Sequence, residues 1–197
     1  MNELSPADVY YYPRFTKGKV FFKDGTKSEA KLNYSNLLDE IQFINAKGDT
    51  LGLADEVTIN YIAVEKDSFY FDKGYVRLLA GNNLIRLAVK QIWTARAIGK
   101  KAGYDAVDPL ASISSYNAYI AFGTLYNLSV NEDTDLTKAE QYFFGNKDNH
   151  FLPAGKKNLF ILFPEQRKQL EKYLRENNIN YGDKDDLMKL ISFFTQL

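Results

Sequence analysis

From Gly18 onward the chain alternates apolar and polar residues with a period of two, the pattern of strands that turn one face to a core. Val20 and Phe22 share a face, Lys23-Asp24-Gly25-Thr26 supplies an Asp-Gly hairpin turn, and the return run sets Ala30, Leu32 and Tyr34 against Lys31 and Asn33. Further strands are predicted at Glu40 to Asn45, around Leu51 and Leu53, and at Val57 to Val64, Phe69 to Phe71, Tyr75 to Ala80 and Leu84 to Trp93. Ala46-Lys47-Gly48-Asp49 and Gly81-Asn82-Asn83 are the turns between them. Val57 to Val64 carries apolar residues on both faces, which predicts a longer and more buried strand. Up to eight short strands with turns every 8–12 residues predict a β-meander closing into a barrel or a sandwich.

The alternation breaks at Arg96. The stretch from Arg96 to Ser115 is rich in Ala, Gly, Lys and Ser and is expected to be a mobile loop of about 20 residues. Strand-like runs resume around Tyr116 to Val130 and Tyr142 to Phe144, and Asn146-Lys147-Asp148-Asn149 is a hairpin turn leading to His150-Phe151-Leu152. Then the period lengthens. Pro164 suits a first helical turn, Leu170, Tyr173 and Leu174 form a stripe at spacings of three and four, and Asn177-Asn178 ends that helix. Asp183 offers an N-cap to a second helix, with Asp185 and Asp186 in its first turn and Leu187, Leu190, Ile191 and Phe194 as its apolar stripe. The fold expected is α+β in one domain, residues 1–197: a mainly antiparallel β-meander over 14–95, the loop over 96–115, further strands over 116–155 and a C-terminal two-helix hairpin over 156–197.

Charge narrows the chemistry. The chain has 25 Lys plus Arg against 25 Asp plus Glu, and this balance argues against a nucleic-acid partner. Phe21 by itself, in Lys17 to Phe22, makes no stacking platform for bases. With no cysteine, disulfides, thiolate metal sites and a cysteine nucleophile are excluded together. One histidine, His150, leaves little for a Ser-His-Asp triad or a catalytic zinc site, and no Gly-x-Ser-x-Gly elbow exists. Asn131, Asp133 and Asp135 start a calcium-loop spacing, but Leu136 and Tyr142 stand where the turn glycine and the bidentate glutamate belong. The expectation is therefore no catalytic residue, no metal ligand and no cofactor. The longest apolar run, Asn158 to Phe163, stops at Pro164, far short of the ~18 residues of a transmembrane helix. Met1 to Pro6 has neither the basic nor the apolar region of a signal peptide.

The positive feature is aromatic: 14 Tyr and 14 Phe. Tyr10, Tyr11, Tyr12, Tyr104, Tyr116 and Tyr119 fall in weakly patterned segments, where tyrosine suits contact with a glycan or a protein, so these six are the candidate ligand-binding residues.

Two stretches carry a resemblance. One is Gly18 to Val64, with its Lys-Asp-Gly turn, Leu32-Asn33-Tyr34, Gln42-Phe43-Ile44 and Gly48-Asp49-Thr50-Leu51. The other comprises Lys156-Lys157-Asn158, Leu162-Phe163-Pro164, Tyr173-Leu174, Glu176 to Tyr181 and Asp186-Leu187. In these the chain resembles uncharacterised secreted proteins of Bacteroidetes, whose β-rich body ends in a Lys/Asn-rich helical hairpin. The resemblance implies export to the periplasm or cell surface, with the signal missing from this chain, and brings no catalytic residues with it. The function expected is a non-enzymatic binding or interaction protein of the cell envelope. The competing classes are a carboxylate-based hydrolase acting on carbohydrate and a structural accessory subunit.

Overall fold

The computed structural model describes residues 9–97 and 134–195. The expected strands at Tyr116 to Val130, most of the expected loop, and Tyr104, Tyr116 and Tyr119 lie outside these residues. The period-two runs form β1 (Thr16–Phe22), β2 (Lys27–Ser35), β3 (Glu40–Ile44), β4 (Thr50–Gly52), β5 (Ile59–Val64), β6 (Asp67–Phe71), β7 (Tyr75–Gly81) and β8 (Arg86–Ala97), followed by β9 (Thr134–Gly145) and β10 (Phe151–Pro153). They make one antiparallel sheet in the order β10-β9-β8-β7-β6-β5-β1-β2-β3-β4. The fold is α+β, as the alternation predicts.

Local chemistry sets the hairpins. In the Asp-Gly turn Gly25 takes φ 87° while Asp24 Oδ1 accepts from the Thr26 amide at 2.8 Å. Asn82 Oδ1 accepts from the amides of Leu84 and Ile85, and Asn146 Oδ1 from those of Asp148 and His150. One strand starts later than expected. Glu56–Thr58 is a 3₁₀ turn with Val57 71% exposed, so the buried strand begins at Ile59. Two strands are longer: β8 runs to Ala97 because it pairs with β9 over twelve residues, from Arg86↔Gly145 to Ala97↔Thr134. Asp135 and Leu136 therefore lie in a strand.

The sheet rolls about one face. Tyr34 on β2 and Tyr75 on β7 are four strand positions apart, about 19 Å in a flat sheet, yet their rings lie 6.4 Å apart. Inside the roll, Val20, Leu32, Tyr34, Ile41, Ile59, Ile62, Val64, Phe69 and Tyr75 form one core. The same face of β8 and β9, carrying Leu87, Val89, Tyr142 and Phe144, is covered by helices instead. These are α1 (Lys156–Leu162), α2 (Arg167–Glu176) and α3 (Lys184–Phe194). The expected hairpin is α2 and α3. The apolar run at Asn158 to Phe163 adds α1, which seats Leu159 and Phe163 in the core, and Pro164 falls between α1 and α2 instead of inside a first turn. Asp183 caps α3 as its position predicts, its Oδ1 accepting from the Asp186 amide at 3.0 Å.

On the outer face Phe151 lies over Gly145, where a Cβ would come within 2.4 Å of the Phe151 ring. This lets Phe151 reach Val76, Ala88 and the Tyr70 ring, 5.7 Å away. The edges β4 and β10 have three residues each, short enough to limit edge-to-edge pairing.

Leu190 is fully buried between α3 and the sheet. Leu190→Ala should cost about 2–5 kcal/mol and, if helices and sheet unfold as one unit, lower a single transition. Circular dichroism followed at helix and sheet wavelengths through one melt checks this. Early loss of helix with an unmoved sheet transition would make the hairpin an appendage.

Candidate functional site

Where the rolled half of the sheet meets the helix-covered half, neither cover is complete, and a cleft opens. It is lined by Tyr11, Tyr34, Asn36, Phe69, Tyr75, Arg77, Val89, Gln91 and Glu140. The strands build it by a change of character along one face. Tyr75 and Arg77 are alternate residues of β7, Val89 and Gln91 of β8, and Glu140 and Tyr142 of β9. Toward this end the apolar phase of all three strands gives way to Arg77, Gln91 and Glu140. Register keeps them together: Arg77 opposes Val89, and Gln91 opposes Glu140.

The N-terminal segment supplies the remaining wall. Asn33, fully buried, clamps it: its Oδ1 accepts from the Tyr12 amide at 3.1 Å and its Nδ2 donates to the Tyr12 carbonyl at 2.9 Å. The Tyr10-Tyr11-Tyr12 triplet then divides three ways. Tyr10 is half-buried and donates to Gln42 Oε1 at 2.8 Å. Tyr11 is 36% exposed, stands edge-on to Phe69 and carries the Arg77 guanidinium over its ring at 5.1 Å. Tyr12 belongs to the core, its hydroxyl donating to Asp67 Oδ2 at 2.8 Å. Of the three, Tyr11 alone faces the cleft. Asn36, Arg77, Gln91 and Glu140 were missed because each was counted as an ordinary polar residue. The signal that would have found the last three is a polar side chain in the apolar phase of its strand.

Ionic pairs brace the walls. Asp67 accepts from Arg77 at 3.3 Å as well as from Tyr12. Asp39 accepts from Tyr34 at 2.8 Å and from Lys90 Nζ at 2.5 Å. Gly74 makes that pair reachable, since its φ is 124° and a Cβ there would sit 2.6 Å from Asp39 Oδ2 and 2.7 Å from Lys90 Nζ. Burial raises the Asp39 carboxyl above the ordinary range, while Lys90 and the Tyr34 hydroxyl pull it back. His150 is half-exposed beside its turn, with Nδ1 2.8 Å from Asp72 Oδ2.

Two buried polar atoms, on residues that also contribute to the cleft lining, have no partner. Tyr75 and Asn36 are 1% and 6% exposed, and the Tyr75 hydroxyl and Asn36 Oδ1 make no hydrogen bond. Such groups cost about 1–3 kcal/mol each. The cleft has a volume of about 30 Å³. Burial raises the Tyr75 hydroxyl far above its ordinary pKa, so it stays a neutral donor and acceptor. Burial acts first on Tyr142 too, and its bond to Glu140 adds to this, pushing it up to about 12.

No family model matches the chain, and no curated protein or solved structure gives a significant match. Among the described residues no group of three or more His, Cys, Asp or Glu could hold a metal, and no helix is long and apolar enough to cross a membrane.

Two outcomes test this account of the polar groups. Tyr75→Phe removes an unpartnered hydroxyl and should leave the melting temperature unchanged or raise it, whereas Tyr12→Phe leaves Asp67 short of a donor and should cost about 1–3 kcal/mol. Denaturant melts of both variants decide it; equal losses would mean that the Tyr75 hydroxyl is bonded.

Lys90→Met strips a half-buried carboxylate of its cation. The loss should be smaller than the roughly 3–5 kcal/mol of a fully buried pair, because Asp39 keeps some solvent access. It also removes the main influence lowering the Asp39 pKa, so that pKa rises further above its unfolded value. A raised carboxyl pKa favours the protonated folded state. The deficit is thus full above the folded pKa and fades as pH falls toward the unfolded value near ~4. Melts of variant and parent from pH 7 to 4 should converge, and a constant gap would contradict this role for Lys90.

Proposed function

We propose that the chain is a non-catalytic binding protein of the cell envelope, and that the cleft at the junction of the two half-cores is where it binds. The observation that carries the reading is a cleft walled by Tyr11, Tyr34 and Phe69 into which strand register brings Arg77, Gln91 and Glu140. Apolar walls with a few converging polar groups are the usual make-up of a binding site. Glu140 is the one carboxylate among the residues lining the cleft, whereas glycoside hydrolysis needs two flanking the scissile bond. Export is supported by the resemblance of the two sequence stretches to secreted Bacteroidetes proteins.

A thermal-shift screen of the chain against glycans, peptides, phospholipids and nucleotides tests the binding role. A ligand at 100 times its dissociation constant should add about 2.7 kcal/mol, and Tyr11→Ala should reduce that gain. If no class moves the melting temperature, the binding role falls. Fractionation of the producing cells tests location, and recovery with cytosolic markers would overturn the envelope assignment.

A further inference from the structure

We propose that the outer side of α1 and the start of α2 dock the protein on a bilayer of acidic phospholipid, with Ile161 as the inserted residue. This does not rest on the cleft. Helix α1 seats Leu159 in the core, with Phe163 following it there. At 3.6 residues per turn, Lys157 and Ile161, two positions either side of Leu159, lie on the opposite side of the helix. Ile161 is accordingly 55% exposed. Its neighbour Phe160 is half-buried, and two cations cover its ring: Lys156 Nζ is 6.0 Å from the centroid and the Arg167 guanidinium 4.9 Å.

The positive charge here is local. Residues 156–176 carry six Lys plus Arg against three Glu, whereas the whole chain has 25 of each sign. Arg167 is paired with Glu171 at 2.9 Å, and Glu165 lies in the connection between α1 and α2. Lys156, Lys157 and Lys168 are exposed and make no ion pair among the described residues. Helix stability does not account for the two lysines that open α1, because a first turn favours acids and this one has none. Cations beside an exposed apolar side chain select the occupant. A soluble polyanion would meet the lysines and leave Ile161 in water. An acidic protein would also meet them, but one isoleucine falls far short of the apolar area at the centre of a stable protein interface. An acidic bilayer takes both: its phosphates pair with the ammonium groups, and Ile161 enters the acyl boundary just beneath. Lys156 and Arg167 lie along Phe160 with their charged heads outward, the way long cations sit at such a boundary.

The test is partitioning of the chain onto vesicles of phosphatidylcholine alone and of phosphatidylcholine mixed with an equal amount of phosphatidylglycerol. Because the chain has no cysteine, Ile161→Cys carries a single environment-sensitive fluorophore, and Lys47→Cys, in the exposed turn between β3 and β4, is the comparison site. The expected result is partition onto the phosphatidylglycerol vesicles, weakened by added salt, with a blue shift of the label at 161 and none at 47. Lys156→Glu combined with Lys157→Glu should weaken partition about 25-fold or more, from about fivefold for each lysine lost. Acids in the first turn suit the helix, so this variant keeps its fold, and its circular dichroism melt verifies that. Ile161→Ser, on the exposed side of α1, is the second variant and should also weaken partition. Absence of partition, or equal partition onto phosphatidylcholine alone, overturns the proposal. So does partition that neither variant weakens. A bound protein whose label at 161 stays in water adsorbs by charge alone or through another face, and that overturns the insertion of Ile161.

Discussion

Everything in this molecule follows from the need to cover one apolar face of a ten-strand antiparallel sheet. A flat sheet of that width would span about 43 Å across its strands, more than the three helices among the described residues, of 7, 10 and 11 residues, can shield. The chain covers the face in two ways. From β1 to β7 the sheet's own twist and coil bring the face against itself. From β7 to β9 the helices cover it. The two coverings meet along β7 and β8, and geometry leaves a gap there, because a curled sheet and a flat-lying helical layer diverge.

Buried polar links hold the roll in its curvature. Asp39 on the β2–β3 turn holds Lys90 on β8, and Asp67 on β6 holds Tyr12 of the N-terminal segment, so each joins parts of the chain that are not sheet neighbours. A charge taken from water is costly unless paired, so each link disfavours shapes in which its partners separate. The abundance of tyrosine fits this use: Tyr12 and Tyr34 pack rings into the inner core and spend their hydroxyls on carboxylates. Tyr75 packs its ring in the same way, but its buried hydroxyl finds no partner.

What the sequence determined by itself was local. Alternation marked the strands from β1 to β8, Asp24-Gly25 and Asn82 the turns, and Asp183 the cap of α3, because each depends on residues within a few positions of one another. Where local signals were weak, partners decided. Polar Thr134 to Gln141 becomes strand because β8 lies beside it, and the run from Lys156 becomes a helix because Leu159 and Phe163, four apart, both find the core. The cleft belongs to the tertiary structure alone. Asn36, Tyr75, Arg77, Gln91 and Glu140 span 105 positions from first to last, and no spacing rule relates them. What relates them is the register across β7, β8 and β9 and the degree to which the sheet curls. Register depends on pairings summed over whole strands, and curl on where a face runs out of cover, so neither can be read from any single stretch of chain.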